Sequence, residues 1–342
     1  MAHAGKIVTV EEDMPALLDA FDMPLLLIDG FTVERANAAA RRLLGTYVEG
    51  EDLRLAIRHP DATGLLSGSG EGSAQLGGLG DPERRWEMEV RPLGQSRRLV
   101  RLIDHSQAAA AERMRTDFVA NASHELRTPL ATLMGFIETL EEANGTNDAA
   151  IRMRFLGIMG GEARRMQRLI DDLMSLSRIE ADRYVRPRES IDLASTVRVA
   201  CAEIEAGGIA GGRLRLTLPD SPLLARADSS QISQLIHNIV GNALKYGREG
   251  GEVKVTLQAD DGSALLLVED EGEGISRDHL PRLTERFYRV DAGRSRAVGG
   301  TGLGLAIVKH IVERHRGRLD IASTPGIGTR VSVVLPRDAE IL

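Results

Sequence analysis

Apolar residues recur at spacings of four and three through Leu126, Leu130, Leu133, Ile137 and Leu140. That is the repeat of a helix packed lengthwise against other helices. A second run, Met166, Leu169, Leu173 and Leu176, follows a break at Asn144–Gly145 and a new start after Asn147–Asp148, a fair N-cap pair. The two runs predict a long antiparallel hairpin. Two helices of this length do not bury both seams alone, so a second copy is expected to complete a four-helix bundle. Gly157, Gly160 and Gly161 weaken the second helix locally, and Gly135 falls opposite Gly157. Close helix approach is the plain expectation there, a bending point the alternative.

The pattern differs on either side of the hairpin. Upstream, over residues 13–105, ALLDAFDMP predicts a short helix and LLLID a buried strand. ERANAAARRLLG predicts a helix, with Asn37 near its start as a cap and Gly45 ending it. WEMEVRPL alternates as a strand, with Arg98–Ile103 as its partner, and the intervening GLLSGSGEGSAQLGGLGDP reads as a flexible loop. His59, beside Pro60, reads as a surface-loop residue rather than a haem ligand. The alanine-rich stretch through Met114 predicts a helical connector running into the hairpin.

Downstream of an extended polar stretch, Tyr184–Ser190, the chain reads as one α/β unit. Asp228 and Gln231 start a helix in the manner of a capping box. Ile232, Leu235, Ile236, Ile239 and Ala243 take its core face, while Asn238, Asn242 and Lys245 share another face. Amide oxygens suit Mg²⁺, which keeps much of its water and leans on substrate phosphates, and a lysine supplies a point charge for phosphate. Strands follow at Glu252–Leu257 and Ala264–Val268, the second ending in Asp270, with Gly272 and Gly274 just beyond. A carboxylate at a strand end can accept a hydrogen bond from an adenine amino group. After RFYRVD and a loop bearing Arg294 and Arg296, GGTGLGL opens into the helix AIVKHIVERH. Glycine-rich backbone entering a helix N-terminus is an anion site. It is neither a Walker loop nor a dinucleotide fingerprint, since the lysine and the third glycine of those patterns are missing. RLDIAS and GTRVSVVLP close the unit as a hairpin.

Length and composition add bounds. The 342 residues suggest two to three domains, and a net charge of −7 argues against wholesale nucleic-acid binding. One cysteine, Cys201, rules out an internal disulfide framework. The sequence shows neither a bilayer-length apolar run nor a signal peptide, which implies a cytoplasmic protein, associated with membranes only through partners or an omitted segment.

The reactive centre is FVANASHELRTPL, residues 118–130. His124 and Thr128 share a helix face, and Pro129 removes the amide that would pair with the Glu125 carbonyl, which predicts a kink beside His124. An imidazole on the wet side of a packed helix is a competent nucleophile near neutral pH. SHELRTP resembles the H-box of the sensor histidine kinases of bacterial two-component systems. N-A-x-K-Y, D-x-G-x-G-I, F-Y-R and G-T-G-L-G-L resemble, in order, the ATP-binding domain of that family, the fold shared with gyrase and MutL.

The resemblance covers residues from about 110 onward and is nearest to phosphate-regulon sensor kinases; the small unit before the H-box resembles a PAS domain. It implies a multidomain α+β chain. A PAS-like sensor over 13–105 would precede a dimerising hairpin over 106–183 and an α/β sandwich ATP-binding domain over 189–337. It implies an ATP- and Mg²⁺-dependent protein-histidine kinase, a homodimer, whose partner is the receiver domain of a response regulator and whose context is phosphate starvation. His124 would be phosphorylated, Glu125 would take its proton, and Thr128 would orient water for dephosphorylation of the regulator. Asn242 would hold Mg²⁺ with Asn238 beside it; Lys245, Tyr246 and Arg289 would contact the nucleotide; Asp270 would read adenine. Gly272 and Gly274 would shape the base pocket, while Gly300, Thr301, Gly302, Leu303 and Gly304 would form the lid over the phosphates. The rival reading is an inactive scaffold of the same fold. Such a scaffold usually loses the histidine, the Mg²⁺ asparagine or the adenine aspartate, and all three are present.

Overall fold

The computed structural model describes residues 10–68, 71–82, 84–94, 96–142, 149–182, 184–208, 210–291 and 300–338. The turn at residues 143–148 and the loop carrying Arg294 and Arg296 lie outside them. The chain divides into two compact units, 1–119 and 120–342.

The first unit is one antiparallel sheet covered by short helices. Its strands are β1 (Leu25–Asp29), β2 (Thr32–Ala36), β3 (Gly72–Gly77), β4 (Arg85–Leu93) and β5 (Arg97–Asp104), in the order β2-β1-β5-β4-β3. Helices α1 (Val10–Asp19), α2 (Ala38–Leu44), α3 (Leu53–Ala56) and α4 (Pro60–Ser67) supply the rest. Leu26, Ile28, Met88, Val90, Val100 and Leu102 from the sheet pack on Ala40, Leu44, Leu53 and Leu66 from the helices. Asn37, 1% exposed, caps α2 through Ala40 N–H and also accepts from Leu25 N–H. Its amide nitrogen donates to the carbonyls of Leu18, Phe21 and Met23. One polar side chain therefore ties the end of α1 to the starts of β1 and α2, with no donor or acceptor wasted.

Two expectations are corrected here. Glu34–Ala36 belongs to β2, and α2 begins only after the Asn37 cap. The Gly/Ser-rich stretch is not all loop: its opening GLLS closes α4, and GSAQLG forms β3, paired with β4 from Gly72↔Val90 to Gly77↔Arg85. His59 caps α4, its Nδ1 accepting from Asp61 N–H at 3.3 Å.

A long helix, α5 (Ser106–Glu142), starts in the first unit and carries the H-box; α6 (Ala149–Ala181) returns beside it. Within residues 120–142, Leu126, Leu133 and Leu140 are half-buried, whereas Leu130, Met134 and Ile137 are exposed. On α6, Leu169, Leu176 and Ile179 are buried, and Ile170 and Met174 exposed. The Phe136 and Phe155 rings meet across the hairpin at 5.0 Å. Pro129 is buried, and α5 continues through it to Glu142. Close approach at the glycines is not made within one chain. A Cβ at Gly135, Gly157 or Gly161 would find no atom within 4 Å, and one at Gly160 only the Arg164 side chain at 3.4 Å.

The remaining elements are α7 (Leu193–Ala206), α8 (Ser229–Tyr246), α9 (Gly304–Arg314) and strands β6 (Ser190–Asp192), β7 (Leu214–Thr217), β8 (Leu224–Arg226), β9 (Val253–Asp260), β10 (Ser263–Asp270), β11 (Arg318–Thr324) and β12 (Gly328–Pro336). The main sheet runs β11-β12-β10-β9-β7, antiparallel except for β7 with β9. The helices cover one face: Ile232, Leu235, Ile236 and Ile239 of α8 are buried, as are Val255, Leu266, Val268 and Val333 of the sheet, and α8 packs on β9 and β10. Each such side chain contributes about 1.5–3 kcal/mol of transfer free energy. Asp228 caps α8 by accepting from Ser230 and Gln231 N–H, but the reciprocal half of the capping box is absent, because Gln231 Oε1 is buried without a partner. Helix α6 packs on α9. Ser175 Oγ meets Gln234 Oε1 at 2.7 Å, and Glu180 pairs with Arg286 and with His310, the latter at 3.4 Å. Among the described residues no helix is long and apolar enough to cross a membrane.

Candidate active site

Successive residues of an α-helix point about 100° apart, since 3.6 residues make a turn. The H-box shows the consequence: His124 is exposed and its neighbour Glu125 turns inward to half-burial. Glu125 Oε2 accepts from Arg289 Nη2 at 2.9 Å and from Arg165 Nη2 at 3.3 Å. Both arginine side chains are deeply covered, 7% and 12% exposed. Among the described residues Arg289 Nε is buried with no partner. Thr128 is exposed, and its hydroxyl donates back to the His124 carbonyl at 3.3 Å.

Arg289 also lines a cavity of about 510 Å³ enclosed by α8, β10, β12, the start of α9 and one face of α6. Its wall includes Asn238, Asn242, Lys245, Tyr246, Asp270, Gly274, Gly300, Thr301, Gly302 and Gly304. The helical spacing of Asn238, Asn242 and Lys245 brings them to one side, as the sequence predicts. Among the described residues Asn238 Nδ2 is buried without a partner, and a Cβ on Gly304 would stand 3.2 Å from Asn238 Oδ1. Neutral amide oxygens beside an open phosphate-sized space fit Mg²⁺ brought in with a nucleotide. The first turn of α9 has no side-chain cap, so its amides remain available to an anion.

At the other end, burial pushes the Asp270 carboxyl above the usual carboxylate range, opposed by hydrogen bonds from the Gly272 and Thr329 amides. The Gly272 bond is 2.8 Å. Gly274 has φ +69°, and a Cβ there would fall 2.0 Å from the Thr324 carbonyl oxygen, so no other residue fits. Gly302 has φ +74°, and its carbonyl accepts from Phe287 N–H at 2.8 Å. Phe287 itself has φ +64°, a strained backbone for an aromatic residue.

Helix α6 contributes Arg168, Asp171 and Asp172 to the same wall. Thr301 Oγ1 donates to Asp172 Oδ2 at 2.7 Å. Burial raises the Asp172 carboxyl, with the Thr301 hydroxyl and the Lys245 charge opposing. Lys245 is pushed below the ordinary lysine range, first by lost solvent and then by the Arg168 guanidinium.

Two residues expected at the nucleotide stand behind the wall: Gly272 supports Asp270, and Leu303 is fully buried. His124, Glu125 and Thr128 do not line the cavity; Glu125 reaches it through Arg289. The residues that sequence reasoning missed are Arg165, Arg168 and Asp172. Their signal was the charged run within RRMQRLIDDL, on which the heptad reading is silent.

A hairpin with an exposed histidine, joined by a half-buried ion pair to a cavity in an α/β unit, defines a histidine-kinase core. Residues 114–182 match the His Kinase A (phospho-acceptor) domain, and residues 227–339 match the Histidine kinase-, DNA gyrase B-, and HSP90-like ATPase family. The chain is 37% identical over 327 residues to the phosphate regulon sensor protein PhoR of Pseudomonas aeruginosa, covering 94% of this chain and 72% of that one. It is 33% identical over 308 residues to the sensor-like histidine kinase SenX3 of Mycolicibacterium smegmatis, covering 89% and 75%. A solved structure titled as histidine kinase ThkA in complex with response regulator protein TrrA aligns over 96% of this chain and 99% of its own, with a TM-score of 0.52 and 17% identity, a likeness of fold. The chain belongs to the sensor histidine kinases of two-component systems, and its enzymatic class is protein-histidine kinase with an ATP-binding domain.

Proposed function

We propose that the chain phosphorylates itself on His124 from ATP and passes the phosphoryl group to an aspartate of a response regulator. The observation that carries this reading is the Glu125–Arg289 pair, which joins the H-box turn directly to the cavity wall. ATP lies with its base toward Asp270 and its phosphates toward Asn242, Lys245 and the uncapped start of α9. The unprotonated imidazole nitrogen of His124 attacks the γ-phosphorus. The N–P bond forms as the bridging P–O bond breaks, the electron pair leaves with ADP, and Glu125 takes the proton from the ring. Arg289 turns from Glu125 to the phosphates. Asn242, with Asn238 beside it, would hold Mg²⁺, which would neutralise phosphate charge when bound with the nucleotide.

The reading has further parts. Leu130, Met134, Ile137, Ile170 and Met174 are large apolar residues left open on the hairpin, and a second copy covers them in a four-helix bundle. The domains run 13–105, 106–183 and 189–337. The first is a PAS-like sensor, which the β2-β1-β5-β4-β3 order supports, and the likeness to PhoR favours phosphate-starvation signalling. The kinase core works in the cytoplasm, where the regulator is. Thr128 orients water for hydrolysis of the regulator's acyl phosphate. The test is to load the protein with labelled ATP and Mg²⁺, remove the nucleotide, and add receiver domains. Label moving from this chain to an aspartate of a receiver is the result expected. Label that stays on the chain with every receiver tried contradicts the transfer.

A further inference from the structure

Glu125 lies between two arginines, Arg165 and Arg289, and the two differ in what else they touch. Arg289 belongs to the cavity wall and has an unpartnered buried Nε. Arg165 does not line the cavity. It sits on α6 directly across the hairpin, 12% exposed, with Nη2 on Glu125 Oε2 at 3.3 Å and Nη1 facing Glu162 Oε2 at 3.6 Å on its own helix. The Glu162 contact, at i and i+3 on α6, fixes the direction of the guanidinium.

This geometry matters because of the helix angle between His124 and Glu125. Adjacent residues diverge, so a carboxylate at 125 does not face the ring at 124 unless something steers it. A glutamate left alone there has three free torsions and would spend little time beside the imidazole. In the proposed reaction Arg289 is also drawn away toward phosphate.

We propose that Arg165 is the positioning residue of the phosphoryl-transfer step: it holds the Glu125 carboxylate from α6, so that the base keeps one fixed partner while Arg289 serves the nucleotide. The proposal rests on the reading of Glu125 as the base that takes the His124 proton. Arg165 touches neither nucleotide nor the reacting atoms, and acts only through Glu125.

The experiment uses the full chain with Arg165→Gln, Arg165→Lys, Glu125→Gln and the Glu125→Gln/Arg165→Gln double variant. Autophosphorylation rate is measured against ATP concentration, with ADP binding and a thermal melt on each preparation. Arg165→Gln is expected to lower the saturated rate roughly ten- to a hundredfold, below the full contribution of a general base. The ATP KM, ADP binding and melt stay near wild type, Arg165→Lys recovers part of the rate, and the double variant is no slower than Glu125→Gln alone. A wild-type rate in Arg165→Gln beside a slow Glu125→Gln overturns the role of Arg165 and leaves the base assignment standing. A wild-type rate in Glu125→Gln overturns the base assignment and the proposal with it. If Arg165→Gln fails to fold, Arg165→Lys decides: a folded lysine variant must respond in rate and not in KM, and a rise in KM at an unchanged saturated rate contradicts the proposal.

Discussion

Thr301 Oγ1 donates a 2.7 Å hydrogen bond to Asp172 Oδ2, tying the segment that enters α9 to the second hairpin helix at the wall of the cavity. Asp172 is a carboxyl raised by burial, with Thr301, Lys245 and Arg168 opposing and Asp171 adding to the rise. Below the unfolded-state value both states hold the proton, and the folded chain keeps its full stability from this group. As pH rises through the higher folded value, the buried carboxyl ionises and that contribution is lost. Asp172→Asn removes the loss. Its melting temperature is therefore expected to be close to wild type near pH ~4 and to gain on it toward pH ~8. In the proposed site this wall also faces the phosphates, so removing the charge is expected to tighten ATP binding at neutral pH by roughly three- to tenfold. Melts and ATP titrations at several pH values check both; parallel melting curves would contradict the buried titration.

Asp270 ends β10 with one carboxylate oxygen held by the Gly272 amide. In the proposed base pocket it accepts from the adenine amino group, a contact that GTP does not offer. Asp270→Asn is expected to weaken ATP binding by about 1–3 kcal/mol, roughly five- to a hundredfold, and to narrow the preference for ATP over GTP. Competition binding with the two nucleotides measures it.

Thr128 lies in the open, its hydroxyl bonded only to the His124 carbonyl at 3.3 Å among the described contacts. Thr128→Ala is expected to cost less than about 0.5 kcal/mol in stability, as exposed substitutions do. Autophosphorylation and transfer should persist while dephosphorylation of the regulator slows. Both rates on one preparation, with a melt as control, test this; equal loss of both would assign Thr128 a packing role.

Much of the kinase core was legible because helix periodicity fixes which residues share a face. Asn238, Asn242 and Lys245 reach one cavity wall for that reason, and Asp270 is placed by the end of its strand. The first unit was read less well at β2 and β3, which form the two edges of the β2-β1-β5-β4-β3 sheet. An edge strand is packed on one side only, so its alternation is faint: in GSAQLG only Leu76 is buried. Arg165 and Asp172 were illegible for a different reason. A heptad repeat says which face of α6 meets another hairpin helix, but not that a separate α/β layer covers its polar flank.

The most direct test is to incubate wild type and His124→Gln with γ-labelled ATP and Mg²⁺, and to follow both the label and ATP binding. The wild-type chain should take up label that acid removes and alkali does not, as a phosphohistidine does. His124→Gln should take up none while binding ATP normally, since His124 does not line the cavity. Undiminished label on His124→Gln would contradict the account.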